Sequence, residues 1–393
     1  MKKVSILTPC YNGALFIKRY MDMLMEQQVP DMELILVDDG STDDTADIVK
    51  GYKDILAQHD IELHYVFQQH QGQAVAINNG LPYVTGEYLI YPDSDDILLP
   101  GSIRRRAEFL DSHPDYDLVG TRGWDVLEGD FKPLKNADFS QEEEVDDLFT
   151  TLIEKGWNTF TCSYMVRTAK LFATIPEGQI YTNKSCTLQD VQLLLLSAYN
   201  SKCGFLQEYL YKRVIRSGSH SNDNKTYLEE AVRCEAVKDV FMGTLKQLNL
   251  EKDKFNYYKK CVHDRYHGQI KALIFNYLLV NEPVEMKHKI QQFLAGRKLA
   301  LFGTGTDCNN AVKAFKEADV DIELFIDNNP AKQESSLAGK KIVGITEIIP
   351  RKNDYFVLIM TDRYKTAIAQ QLKGLGFHEN QEYCIYNRFR ELL

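Results

Sequence analysis

The chain has no Cys-x-x-Cys pair. Its eight cysteines stand at 10, 162, 186, 203, 234, 261, 308 and 384. That scatter suits neither a zinc site nor a disulfide framework, and reduced thiols are expected. No apolar run approaches the roughly 18–20 residues needed to cross a bilayer. Met1-Lys2-Lys3 leads into a short strand rather than a long apolar segment, so no signal peptide and a cytoplasmic location are expected. Positive charge is in deficit: 46 Lys and Arg against 56 Asp and Glu give a net charge of −10. A nucleic-acid partner is therefore not expected. Repeats and low-complexity tracts are absent as well. What remains is an ordinary globular composition, 44% hydrophobic and 26% charged over 393 residues, enough for two or three domains.

The densest chemistry lies at Tyr91-Pro-Asp-Ser-Asp-Asp-Ile-Leu-Leu99, where Asp93, Asp95 and Asp96 follow an extended apolar run directly. Carboxylates this close repel one another. A hard divalent cation, Mg²⁺ or Mn²⁺, favours such oxygen ligands and shares its shell with substrate phosphates. Asp is also favoured in surface turns and at helix N-caps, so the triplet by itself admits both readings.

The preceding ninety residues alternate between strand and helix signals. Val4–Leu7 ends at Thr8-Pro9. Glu33–Val37 is apolar enough to be buried on both faces and stops at Asp38-Asp39-Gly40-Ser41. A helix is expected from Asp43 to about Ala57, a strand over Leu63–Phe67, a helix over Gly72–Leu81 and a strand over Tyr88–Tyr91. Such alternation predicts an α/β doubly wound sheet, mainly parallel, with its ligand crevice at the carboxyl ends of the strands. Thr8-Pro9, Asp38-Asp39 and the aspartate turn all fall at such ends.

Four segments in this order carry a resemblance: Thr8-Pro9-Cys10-Tyr11-Asn12, Val37-Asp38-Asp39-Gly40-Ser41-Thr42-Asp43, Gly72-Gln73-Ala74-Val75-Ala76-Ile77-Asn78-Asn79-Gly80 and Asp93-Ser94-Asp95-Asp96. Over about residues 1–220 the chain resembles the family 2 inverting glycosyltransferases of GT-A fold. The resemblance implies transfer of a sugar from a nucleotide sugar, UDP-linked by expectation, to an acceptor hydroxyl, with Mn²⁺ or Mg²⁺ as cofactor. It implies that Thr8, Pro9 and Tyr11 line the base and ribose pocket. Asp39, alone or with Asp38, would bond the uracil edge, and Gly72 and Ser94 would belong to the nucleotide site. Asp93 would approach ribose or metal, and Asp95 would ligate the metal. The family commonly has Asn where this chain has His70, which either contacts the nucleotide or sits on a solvated loop.

Further along, a strand is expected over Thr159–Val166, and Gln189-Asp190 opens a helix. The family has Glu-Asp there, and its Asp is the catalytic base. That implies Asp190 as base, with helix capping as the alternative role. Arg216, Gly218, Ser219 and Ser221 resemble the family's Arg-x-Gly-Ser-x-Ser segment. Arg213, Arg216 and His220 would then meet the leaving diphosphate.

Residues 226–295 read as helical. Between Lys252 and Lys271, six Lys or Arg face two Asp, and Phe255, Tyr258, Val262, Tyr266, Ile270, Leu273 and Tyr277 form a stripe. This is either a solvated face or a basic aromatic surface for membrane headgroups or a lipid-linked saccharide acceptor. The last hundred residues hold Gly303-Thr304-Gly305 after a strand and Asp327 at the end of the next, as in a small Rossmann-like unit. The third glycine is replaced by Cys308, which favours a structural or partner-binding module over a cofactor site. The domains expected are 1–222 (transferase), 223–295 (helical connector) and 296–393 (Rossmann-like). The function expected is a glycosyltransferase of bacterial surface polysaccharide synthesis, peripheral at the inner membrane face if attached at all. The alternatives are a sugar-nucleotide oxidoreductase or epimerase using the C-terminal unit, and a non-catalytic nucleotide-sugar binding protein.

Overall fold

The computed structural model describes residues 3–134, 147–156, 160–175, 178–183, 188–216, 226–361 and 364–393, without the side chains of 306, 307, 310 and 391. It divides into two compact units, residues 1–224 with 235–264, and residues 225–234 with 265–393.

The first unit opens with β1 (Val4–Cys10), α1 (Ile17–Met25), β2 (Met32–Asp38), α2 (Thr45–Gly51), α3 (Lys53–Ala57), β3 (Ile61–Phe67), α4 (Gln73–Gly80) and β4 (Tyr88–Ile90). It continues with β5 (Ile97–Leu98), α5 (Ser102–Ser112), β6 (Leu118–Leu127), α6 (Leu148–Lys155), β7 (Met165–Arg167), α7 (Thr168–Thr174), α8 (Gln189–Ala198) and β8 (Cys203–Ile215). The eight strands form one sheet in the order β3-β2-β1-β4-β7-β6-β8-β5. Strands β3, β2, β1 and β4 run parallel, whereas β7 is antiparallel to β4 and β6, and β5 to β8. The sheet is therefore mixed. As their apolar sequences require, β1 and β2 are buried along their whole length. One face packs Val4, Ile6, Leu34 and Ile90 against Ile17, Tyr20 and Leu24 of α1 and Ile103 and Leu110 of α5.

The expected strand over 159–166 is shortened to β7. Thr161–Ser163 instead make a single tight turn. The Thr, Phe and Tyr content suited a strand, but the side chains at 161 and 162 turn toward buried carboxylates (below), a tertiary demand that outweighs local propensity.

The helical stretch resolves into α9 (Tyr227–Gln247), α10 (Lys252–Asn281) and α11 (Pro283–Leu294). On α10, Tyr258, Val262, Tyr266 and Ile270 are buried, and Tyr258 packs edge-on against Phe149. Most of the stripe thus faces inward, while Lys252, Lys254, Lys259 and Lys260 are exposed. No helix among the described residues is long and apolar enough to cross a membrane.

In the second unit a six-stranded sheet is built from β9 (Lys298–Phe302), β10 (Ile322–Ile326), β11 (Ser336–Leu337), β12 (Lys340–Val343), β13 (Tyr355–Ile359) and β14 (Tyr383–Ile385), in the order β11-β12-β10-β9-β13-β14. All neighbours are parallel except the β11–β12 hairpin. Helix α12 (Thr306–Glu317) follows β9, α13 (Lys365–Gly374) follows β13, and α14 (Tyr386–Leu392) ends the chain.

Arg106, on the inner face of α5, is the largest fully buried side chain among the described residues. Its Nη1 donates to the Ser163 carbonyl at 2.7 Å, its Nε to the Ser102 carbonyl at 3.0 Å and its Nη2 to Ser102 Oγ at 2.7 Å. Burial lowers its pKa to about 10. It ties α5 to the turn that carries Thr161 and Cys162. Arg106→Ala leaves the Ser163 carbonyl without this donor in a dry interior and opens a cavity. It is expected to lower the unfolding free energy by about 3 kcal/mol, measured by urea denaturation.

Candidate active site

The parallel register brings the ends of β1, β2, β3 and β4 to one edge of the sheet, and the loops there are bonded to one another. The Asp39 N–H donates to the Cys10 carbonyl and the Gln68 N–H to the Asp38 carbonyl. The Asn12 N–H donates to Ser41 Oγ, and the Thr42 N–H to Asn12 Oδ1. Gly40 makes this approach feasible. Its φ is +78°, and a Cβ there would lie 2.7 Å from the His70 nitrogen.

Asp39 is the hub of these loops. Its Oδ1 accepts from Gln68 Nε2 at 2.7 Å and the Gln71 N–H at 2.8 Å, and its Oδ2 from the Gly72 N–H at 2.8 Å. His70 Nδ1 lies 3.0 Å from Asp39 Oδ2. Its ring stacks on Tyr11, centroids 4.2 Å apart and 27° from parallel. Asp38 is buried and accepts from the Ser41 N–H at 2.8 Å and the Tyr65 hydroxyl at 2.6 Å. Both carboxylates are thus engaged by the protein itself. Of the roughly four acceptor positions on a carboxylate, the Asp38 side chain uses two in these bonds. Thr8, near the end of β1, lies beneath these loops. It is fully buried, and its hydroxyl bonds Tyr20 and the Pro92 carbonyl. Pro9 is buried opposite Val37, and Ser94 is buried beside the Cys10 thiol. Tyr11 is exposed.

The aspartate turn follows β4. Oxygens of Asp93, Asp95 and Asp96 lie within 4.8 Å of one another. Asp96 accepts from the Tyr211 hydroxyl and, at 2.8 Å, from the Val214 N–H. Asp95 Oδ2 accepts from Arg216 Nε at 2.9 Å, and its main-chain carbonyl accepts from Arg19 Nη2 at 2.6 Å. Asp93 Oδ2 faces the Cys162 sulfur at 3.9 Å. Burial, reinforced by Asp96, Asp190 and Asp95, pushes the Asp93 carboxyl well above its usual pKa. A divalent cation among these oxygens would relieve that repulsion. The all-oxygen donor set suits Mn²⁺ or Mg²⁺.

Asp190 reaches the same cluster from another part of the chain. Leu188 is left-handed, with φ +38°, immediately before α8, and Asp190 sits in the first turn. Its carboxylate accepts from the Thr161 hydroxyl. Burial raises its pKa, against the Thr161 bond, its own and the Val191 N–H, and the charge of Arg213. Arg213 is held by a two-point pair with Asp125, at 2.7 and 2.8 Å, and stands over the Phe160 ring. Its charge reaches both Asp96 and Asp190. His220 lies outside the described residues. Arg19, Asp125, Thr161, Cys162 and Tyr211 belong to the site without having been singled out from the sequence. Each depends on a strand pairing or a turn that no local pattern announces.

In the second unit, Gly303-Thr304-Gly305 and Asp327 do meet at adjacent strand ends. Asp327 Oδ2 accepts from the Thr304 N–H and hydroxyl, and Lys332 Nζ lies 3.3 Å away. The acidic group that could read a ribose is bonded within the chain.

The mixed sheet with carboxylates at its strand ends is the GT-A fold of nucleotide-sugar transferases. The structure is similar to that of Staphylococcus aureus TarS 1–349 crystallised with UDP-GlcNAc, with a TM-score of 0.51 and 19% identity over 81% of this chain and 89% of that one. Residues 5–171 match the family model described as glycosyl transferase family 2, so this segment is a family 2 glycosyltransferase domain and the protein is a glycosyltransferase. An uncharacterized glycosyltransferase of Nostoc is 26% identical over 240 residues, 60% of this chain and 71% of that protein. Bacillus subtilis TuaG, named for teichuronic acid biosynthesis, is 36% identical over 108 residues, which span 27% of this chain and 41% of TuaG. Residues 295–382 match a second model, described as C2185-like, N-terminal.

The bonding at Asp39 makes a structural prediction. Asp39→Asn turns one acceptor into a donor that faces other donors. Unfolding free energy of the nucleotide-free protein should fall by about 1–3 kcal/mol in urea titration. A residue that only read the base would leave that value unchanged.

Proposed function

We propose that the protein transfers a sugar from a nucleoside diphosphate sugar, with UDP as the nucleotide, to a saccharide acceptor hydroxyl with inversion at the anomeric carbon. The observation that carries this reading is the convergence of two carboxylate groups from distant parts of the chain, the turn after β4 and the start of α8, on one partly buried cluster. An inverting displacement needs both: one group on the side of the departing diphosphate, another on the side of the incoming oxygen.

Asp95 and Asp93 would hold Mn²⁺ or Mg²⁺, which when bound neutralises charge on the diphosphate. Asp96 is committed to Tyr211 and Val214 and keeps the turn in shape. Asp190 accepts the proton of the acceptor hydroxyl as its oxygen bonds to the anomeric carbon and the bond to the diphosphate oxygen breaks. Its raised pKa makes it a stronger base than a solvated aspartate, and the Thr161 hydroxyl keeps it oriented. Arg213, steadied by Asp125, offers its cation on the Asp190 side. Arg216 is near enough to the aspartate turn to meet the diphosphate. The exposed Tyr11 ring and its His70 partner offer a stacking surface for the base. For the C-terminal unit a structural or partner-binding role is favoured by the internal bonding of Asp327. Kinship with TuaG favours polysaccharide synthesis as the setting.

Asp190→Asn keeps size and helix position but removes the basicity. Transfer to acceptor should fall by roughly 10²–10⁴-fold, while calorimetry with UDP-sugar and Mn²⁺ shows near wild-type affinity. Parallel losses in binding and transfer would instead make Asp190 a structural residue.

A further inference from the structure

The candidate cation ligand Asp95 already has a cation on it. Arg216 Nε bonds Asp95 Oδ2 at 2.9 Å, and its guanidinium lies 4.7 Å from the centre of the Phe16 ring. We propose that Arg216 competes with the divalent cation for the Asp95 carboxylate, so that nucleotide diphosphate, by drawing Arg216 to itself, opens the site to the cation. The inference rests on the cation-dependent reading above and assigns a residue that governs when the cation binds.

Three observations support it. Of the three clustered carboxylates, Asp96 is spent on Tyr211 and Val214, which leaves Asp93 and Asp95 as the donors. A metal on Asp95 would therefore stand beside the Arg216 guanidinium. Like charges that close repel strongly in a partly buried setting, where solvent screens poorly. Next, the main chain of Asp95 is held independently of its side chain, through Arg19 Nη2 and the Asp95 carbonyl. The carboxylate can change partners while the turn keeps its place. Finally, Arg216 and Asp95 side chains are 28% and 20% exposed, and the pair uses the guanidinium's Nε alone. The two terminal nitrogens have the spacing to take phosphate oxygens. Exchange from carboxylate to diphosphate needs no unfolding.

The consequence is a linkage. The factor by which UDP tightens Mn²⁺ must equal the factor by which Mn²⁺ tightens UDP, and part of it comes from Arg216. Mn²⁺ binding to the full chain, followed by the electron paramagnetic resonance of free Mn²⁺ with and without UDP, tests this. Without UDP, Arg216→Met and Arg216→Gln should each bind Mn²⁺ about tenfold tighter than wild type, and the tightening by UDP should shrink. Arg216→Lys, which retains the charge, should stay near wild type. Thermal unfolding of each variant verifies that it is folded.

If the folded Met and Gln variants bind Mn²⁺ alone no tighter than wild type, while wild type with UDP binds it and Asp95→Asn does not, the competition is overturned and the cation-dependent reading stands. If wild type binds no Mn²⁺ even with UDP, both fall together.

Discussion

Four carboxylates, Asp93, Asp95, Asp96 and Asp190, gather in one partly buried region, where burial raises the pKa of Asp93, Asp96 and Asp190 and like charges need partners. Much of the first unit answers to that constraint. Strand β8 supplies the Tyr211 hydroxyl and the Val214 N–H to Asp96, and Arg216 just beyond its end to Asp95. The turn at 161–163 supplies Thr161 to Asp190 and the Cys162 sulfur to Asp93. Asp125 on β6 holds Arg213 where its charge reaches two of the four. Arg106 then fastens the 161–163 turn to α5 from beneath. The mixed strand order brings these suppliers, remote in sequence, alongside the parallel half of the sheet.

The parallel half was largely legible in the sequence. Uniformly apolar segments ended in polar turns, and that pattern identifies buried strands and the edge at which their loops gather. The position of the aspartate turn was legible by the same logic, whereas Asp190 stood out through the family resemblance alone. The second half was less so. Strand β6 runs on through Trp124 to Leu127, where the sequence reads as irregular, because its partner β8 supplies the pairing from 88 residues away. The 161–163 turn looked like strand for the converse reason: Thr161 and Cys162 are there to meet carboxylates, not to extend a ladder.

The loops show a different kind of illegibility. Asp38 and Asp39 are residue types that serve equally well as ligands or as loop braces, and only the geometry of donors around them separates the roles. Asp39 gathers partners from four of the five positions 68–72, all but Gln69. These bonds brace the turn entering α4, beside the exposed Tyr11 and His70.

Strand β8 has thirteen residues, and alternate side chains at its end face opposite sides. Tyr211 and Arg213 share a side, and irregularities at Thr121/Arg122 and Arg122/Gly123 set the phase in which they meet β6. One residue gained or lost between Leu206 and Tyr211 would rotate the whole set, presenting Lys212 where Arg213 belongs and moving the donor for Asp96 off its acceptor. Most of this enzyme should accept changes of residue more readily than changes of length in its strands. Along β8 spacing itself is the inherited quantity, and related chains should vary there by substitution and not by insertion.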